Sequence, residues 1–237
     1  MSGGAGETTA EVPNISVLPV YGVDPDRTQS TNLLTVIRRR IEGRYPVDPF
    51  GADPQMQDLI APFVTATVHV QVDHPERFPS EGPAVLVANR GLGVIEPAAL
   101  AVALRQEAGR RLRVIGAPDV PILGDLMRKL GAVMSYQGDL AALLRAEHVA
   151  AIPLGPTWLR TGVGTPPMQL LVAALGYPVI PVAVRPGGPF GLPLRAWKVA
   201  VGEPLPVRAN RGSGDPLAAA ELAEAARENV QRLIDTL

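Results

Sequence analysis

The 237-residue chain contains no cysteine. That excludes disulfides, thiolate nucleophiles and cysteine-based metal sites. Aromatic residues make up only 4%, so valine, leucine, isoleucine and alanine must fill the interior. Histidine is scarce, with His69, His74 and His148 alone, and their spacings do not match a metal-ligand set. Neither charge sign dominates. The formal net charge is -1, which gives no global basic field for nucleic acid and no acidic tail. Every apolar run is broken by proline, glycine or arginine well short of the ~20 residues that a membrane-spanning helix needs. Met1 to Ala10 is polar and Gly/Thr-rich, unlike a secretory leader. The expectation is a cytoplasmic protein, and the abundance of proline, alanine and arginine suggests a GC-rich bacterial source.

What is present is enough apolar material, 46% of residues, for the core of one large α/β domain. Residues 1–30, rich in proline and glycine and without periodicity, read as a flexible arm, and 31–237 as a single domain. Asn32 can cap a helix whose apolar positions are Leu33, Leu34, Ile37 and Ile41, with Arg38, Arg39, Arg40 and Arg44 on and after its other face. A second helix is predicted from Gln55 to about Thr65, and an alternating strand over Thr67–Val72. Ala84–Ala88 is an unbroken apolar run, the pattern of a strand buried on both faces. A loop from Asn89 to Ile95 leads to a helix with Pro97 at its first position. Short strands are predicted at Arg113–Gly116, Ala132–Ser135, Val149–Pro153, Val179–Val184 and Trp197–Val201. Helices lie between several of them, at Pro121–Leu130, Leu140–Arg145 and Met168–Leu175. A Gly/Pro/Thr loop spans 155–167. Asp215 caps a last helix whose inward residues are Leu217, Leu222, Val230, Leu233 and Ile234. The alternation argues for an α/β fold with a mixed, mostly parallel sheet flanked by helices.

Five segments carry a resemblance. They are Pro83-Ala-Val-Leu-Val-Ala-Asn89-Arg90-Gly91-Leu-Gly93-Val-Ile-Glu96-Pro97, then Ile122 to Val133 with its Leu130-Gly131-Ala132 turn. Ile152-Pro153-Leu154-Gly155-Pro156, Tyr177 to Val184 and Gly202-Glu203-Pro204 follow. In this order the chain resembles the lysophospholipid and glycerolipid acyltransferase superfamily over about Arg38 to Val207. Phe50-Gly51-Ala52-Asp53 is similar to a segment of the monoacylglycerol acyltransferase-like branch. The resemblance implies a glycerol-phosphate acyltransferase-like fold. It also implies acyl transfer from acyl-CoA or an acyl carrier protein to a lipid hydroxyl, with no resident cofactor or metal.

The chain departs from the family where the chemistry is done. The family's histidine takes a proton from the acceptor hydroxyl as it attacks a thioester, and an acidic residue orients the imidazole. Arg90 stands in the histidine's place, and a guanidinium keeps its proton at any working pH. Glu96 is the nearest acidic residue and sits out of the expected register. The glutamate of the family's Pro-Glu-Gly block is Leu154, and Pro156 removes a backbone N–H where that loop would donate to phosphate.

Asn89, Arg90, Gly91, Gly93, Gly155, Thr157 and Arg160 form the candidate anion- or substrate-binding set, because arginine and glycines before a helix N-terminus suit phosphate or carboxylate. The competing reading of Arg90 is an ion pair with Glu96 that plugs the site. The favoured function is a non-catalytic acyltransferase homologue that binds a lipid or acyl group, or regulates a partner such as an active paralogue. An active O-acyltransferase with a displaced base and a scaffold protein are the alternatives, and whether the chain is an enzyme stays open. Arg38, Arg39, Arg40 and Arg44 suggest peripheral contact with the inner face of a membrane, against a merely solvated helix face.

Overall fold

A computed structural model describes Arg38 and residues 47–89, 95–116, 123–154, 163–186, 196–206 and 215–237. The boundary at residue 30 and the helix after Asn32 lie outside these, save that Arg38 itself is helical and exposed. Helix α1 spans Pro54–Thr67, α2 Ile95–Ala108, α3 Leu123–Lys129, α4 Gln137–Arg145, α5 Met168–Ala174 and α6 Pro216–Thr236. The strands are β1 Val70–Asp73, β2 Ala84–Asn89, β3 Leu112–Ile115, β4 Ala132–Val133, β5 Val149–Leu154, β6 Val179–Arg185 and β7 Trp197–Val201.

The strands form one sheet in the order β1-β7-β6-β2-β5-β3-β4. Five of them, β6, β2, β5, β3 and β4, run parallel. β7 is antiparallel to β6, and β1 is parallel to β7. The mixed, mostly parallel α/β sheet expected from the sequence is therefore what forms. The unbroken apolar run of β2 occupies the centre, with Ala84 to Val87 at 0% exposure. Alternate strand residues face two cores. Val85, Val87, Ala150, Ile152 and Leu154 join α4, α5 and α6 on one side. Ala84, Leu86, Val149, Ala151, Val182 and Trp197 join α2 on the other.

Several boundaries shift for local reasons. α1 runs on to Thr67, whose Oγ1 donates to the carbonyls of Phe63 and Val64, so β1 starts three residues later than the alternation suggests. Val68, Val70 and Val72 still pack on one core. α2 begins at Ile95, which puts Pro97 at its third position rather than its first. A proline costs little there, because the first four N–H groups of a helix have no intrahelical partner. On α6, Asp215 accepts from Leu217 N as its cap, but Leu217 is 59% exposed and not inward. Ala219, Ala223 and Ala226 take the interior with Leu222 and Val230.

Candidate functional site

The order of the strands sends two neighbouring connections to opposite faces of the sheet. From β2 the chain crosses to β3 through α2 on one face, and from β5 to β6 through α5 on the other. β2 and β5 are neighbours, so their carboxyl ends mark the point where connections part to opposite sides, the usual ligand position in open α/β sheets. Asn89, the last residue of β2, lies in register with Leu154, the last of β5. Two of the sequence blocks, far apart in the chain, thus end side by side. Gly164 N donates to Leu154 O at 3.4 Å, so the chain returns to the point it left after ten residues. Arg90, Gly91, Gly93, Gly155, Pro156, Thr157, Trp158 and Arg160 lie outside the described residues.

Asn89 is held tightly. Its Nδ2 donates to Val184 O at 2.8 Å, and Val184 N donates to its Oδ1 at 2.6 Å. The side-chain amide acts as one more peptide group on the β2–β6 ladder, beyond the last register pair Ala88↔Val182. Leu154 is fully buried within the larger core.

Glu96 stands in the first turn of α2, where the helix dipole favours a carboxylate. It is only 7% exposed, and its Oε2 has no hydrogen-bond partner. A buried, unsatisfied carboxylate oxygen is costly. Replacing Glu96 by methionine is therefore expected to raise stability by ~1 kcal/mol, read as a higher melting temperature. A fall would mean that the carboxylate is met by a donor in solution.

None of the three histidines lies within reach of Asn89. His148 precedes β5 at its amino end and packs its ring edge-on against Phe50 at 5.7 Å. It is half-buried. His74 is exposed and pairs with Glu76 at 3.1 Å. His69 escaped sequence reasoning in one respect. Because β1 runs against the parallel block, His69 lies at the same sheet edge as Asn89, but three strands away, roughly 14 Å. Among the described residues no group of three His, Asp or Glu side chains could hold a metal ion.

The remaining motif residues build the frame. Asp53 is fully buried, caps α1 by accepting from Met56 N at 2.9 Å, and donates its own N–H to Lys129 O at 3.0 Å. Gly131 has φ +97, and a Cβ there would meet Gln57 Nε2 at 2.9 Å. Gly202 lets its backbone close on β6: its N donates to Pro181 O at 2.8 Å, where a Cβ would meet the Pro181 ring at 2.7 Å. The buried pair of Asp48 and Arg113 had no sequence signal, since it joins a connector to a strand 65 residues away.

No family model matches the chain. It is similar to an uncharacterized protein of Mycobacterium tuberculosis, 29% identical, the match covering 84% of this chain and 71% of that protein. An uncharacterized protein of Mycobacterium leprae is 28% identical over 84% of this chain and 69% of its own length. Among solved structures, the 1-acyl-sn-glycerophosphate acyltransferase PlsC from Thermotoga maritima superposes with a TM-score of 0.49 at 15% identity. That superposition covers 74% of this chain and 79% of the other.

Proposed function

We propose that the protein is an acyltransferase-like α/β protein that binds a lipid or acyl group at the carboxyl ends of β2 and β5 without transferring it. The observation that carries the reading is the register pair Asn89↔Leu154. It joins the two sequence blocks that resemble acyltransferase motifs at one crevice, and each block has lost its chemical group. The base position next to Asn89 is Arg90, which cannot accept a proton. The position of the second block's glutamate is Leu154, whose side chain is turned into the core. The frame that would hold a substrate is intact, with Asn89 clamped to Val184, while no described histidine replaces the base.

The arginine left at the base position, ahead of a helix N-terminus, suits a phosphate. Titration with lysophosphatidic acid and with CoA is expected to give saturable binding that weakens about tenfold in Arg90→Ala, the loss of one charge-assisted contact. Thioester release from a range of acyl-CoAs should not exceed the uncatalysed rate. Turnover abolished by a substitution at Arg90 or Glu96 would restore the active-enzyme reading. Undetectable binding to both wild type and variant would leave a scaffold.

A further inference from the structure

Three charged side chains are buried among the described residues, those of Asp53, Glu96 and Arg113. Asp53 caps α1, and Arg113 is paired with Asp48. Glu96 has no such role. Its Oε2 lacks a hydrogen-bond partner, and no ion pair joins it to a described lysine, arginine or histidine. The helix decides where this side chain points. Ala99, Leu100 and Ala103 follow Glu96 at i+3, i+4 and i+7, each at 2% exposure or less, and join Ala88, Val182 and Val184 in the core on that side of the sheet. Residues at that spacing share one helix face, so Glu96 lies on the sheet-facing side of α2, in its first turn. Residues 90–94 alone separate Asn89 from Ile95, and the chain re-enters the sheet at Leu112, level with Val149 at the amino edge. The first turn of α2 therefore stands at the carboxyl edge. Helical side chains lean toward the helix N-terminus, so Glu96 is aimed over the strand ends.

The chemistry of the missing partner follows from the charge. A carboxylate withdrawn from water with no counter-charge is costly. The partial charge of the helix N-terminus offsets only a small part of that cost. A ligand hydroxyl would supply one hydrogen bond and leave the charge uncompensated. An ammonium group supplies the donor and the opposite charge together, in the stronger, charge-assisted form. We propose that Glu96 holds an ammonium group carried by the ligand, so that the site selects an amine-bearing lysophospholipid over one whose headgroup is a bare phosphate. The inference rests on the reading that a lipid binds at the carboxyl ends of β2 and β5, and adds the headgroup to it. It also accounts for a side chain that weakens the ligand-free protein: the carboxylate gains its partner only when the ligand arrives.

It is tested by titrating the full chain with three short-chain lysophospholipids that differ only in headgroup: phosphoethanolamine, phosphoglycerol and phosphate alone. The wild type is expected to bind the amine lipid about tenfold more tightly than either of the others. Glu96→Gln keeps the size and an acceptor oxygen but removes the charge. It should erase that preference while still binding the bare phosphate lipid. Glu96→Met removes the acceptor as well and should lose the preference in the same way, with melting curves showing that both variants are folded. Equal binding of the three lipids by the wild type overturns the proposal and leaves the lipid-binding reading in place. So does an amine preference that survives in both variants. A phosphoglycerol lipid that matches the amine lipid, and loses its advantage over bare phosphate only in Glu96→Met, overturns it by assigning Glu96 to a hydroxyl. No saturable binding of any of the three defeats the lipid-binding reading itself, and the proposal with it.

Discussion

Replacing Asp48 by alanine is expected to cost about 3–5 kcal/mol of folding stability and to lower the melting temperature by roughly 10 °C. Asp48 sits in the connector before α1 and makes an ion pair with Arg113 on β3, whose side chain is 6% exposed. Burial pushes the Arg113 guanidinium below its usual pKa, and the Asp48 carboxylate pulls against that shift. Nε and Nη1 of Arg113 have no partner at all, so without Asp48 an almost unsolvated cation would remain. The same carboxylate also shapes its own turn, accepting from Phe50 N at 2.9 Å and Ala52 N at 2.8 Å. Asp48→Asn keeps the turn and removes the charge, so its cost isolates the ion pair. Removing both charges with Asp48→Leu and Arg113→Met should recover most of the loss, because an apolar pair needs no solvation. Denaturant unfolding of the four proteins checks this. A cost below ~1 kcal/mol for Asp48→Ala would show that Arg113 reaches water.

Asn89→Ala should be the second most damaging change, with a loss of ~2–4 kcal/mol from two hydrogen bonds and the polar groups they leave unmatched. Val184 is 3% exposed, so its N–H and carbonyl have no ready access to solvent once the amide is gone. The cost falls at the carboxyl edge, where β2 ends and the segment beginning with Arg90 leaves. Binding of lysophosphatidic acid or CoA should therefore weaken together with stability. Asn89→Asp is the informative control. It keeps an acceptor for Val184 N but sets an oxygen against Val184 O, so it should be no better than alanine. If Asn89→Ala bound ligand as well as the wild type, Asn89 would serve the sheet alone.

The parts of the fold that were legible in sequence are those whose cause is local. β2 announced itself because a strand covered on both faces must be apolar throughout, and α6 because Asp215 and Pro216 together start a helix. Where two local rules competed, sequence misled. The β-branched Thr67 suits the strand alternation that runs on to Val72, yet it closes α1 by bonding back to Phe63 and Val64. The inward face of α6 was assigned to large side chains, and Leu217 was wrongly included. Alanine carries too little hydrophobic signal to mark a face, although Ala219, Ala223 and Ala226 are what lets α6 approach the sheet. The meeting of Asn89 with Leu154, the side of the sheet on which His69 emerges and the Asp48–Arg113 pair all depend on strand order. No single stretch of sequence encodes that order.

Strand order has a further consequence, during synthesis. Among the described strands β1 pairs with β7 alone, and the two are tied again where Arg77 reaches Val201 O, 124 residues on. At ribosomal rates of ~5–20 residues per second, the valines of β1 wait on the order of ten seconds before their partner exists. The five parallel strands can assemble in that interval. β1 can thus complete its place in the sheet only after β7 has been made, and until then Val70 and Val72 lack the strand they pair with.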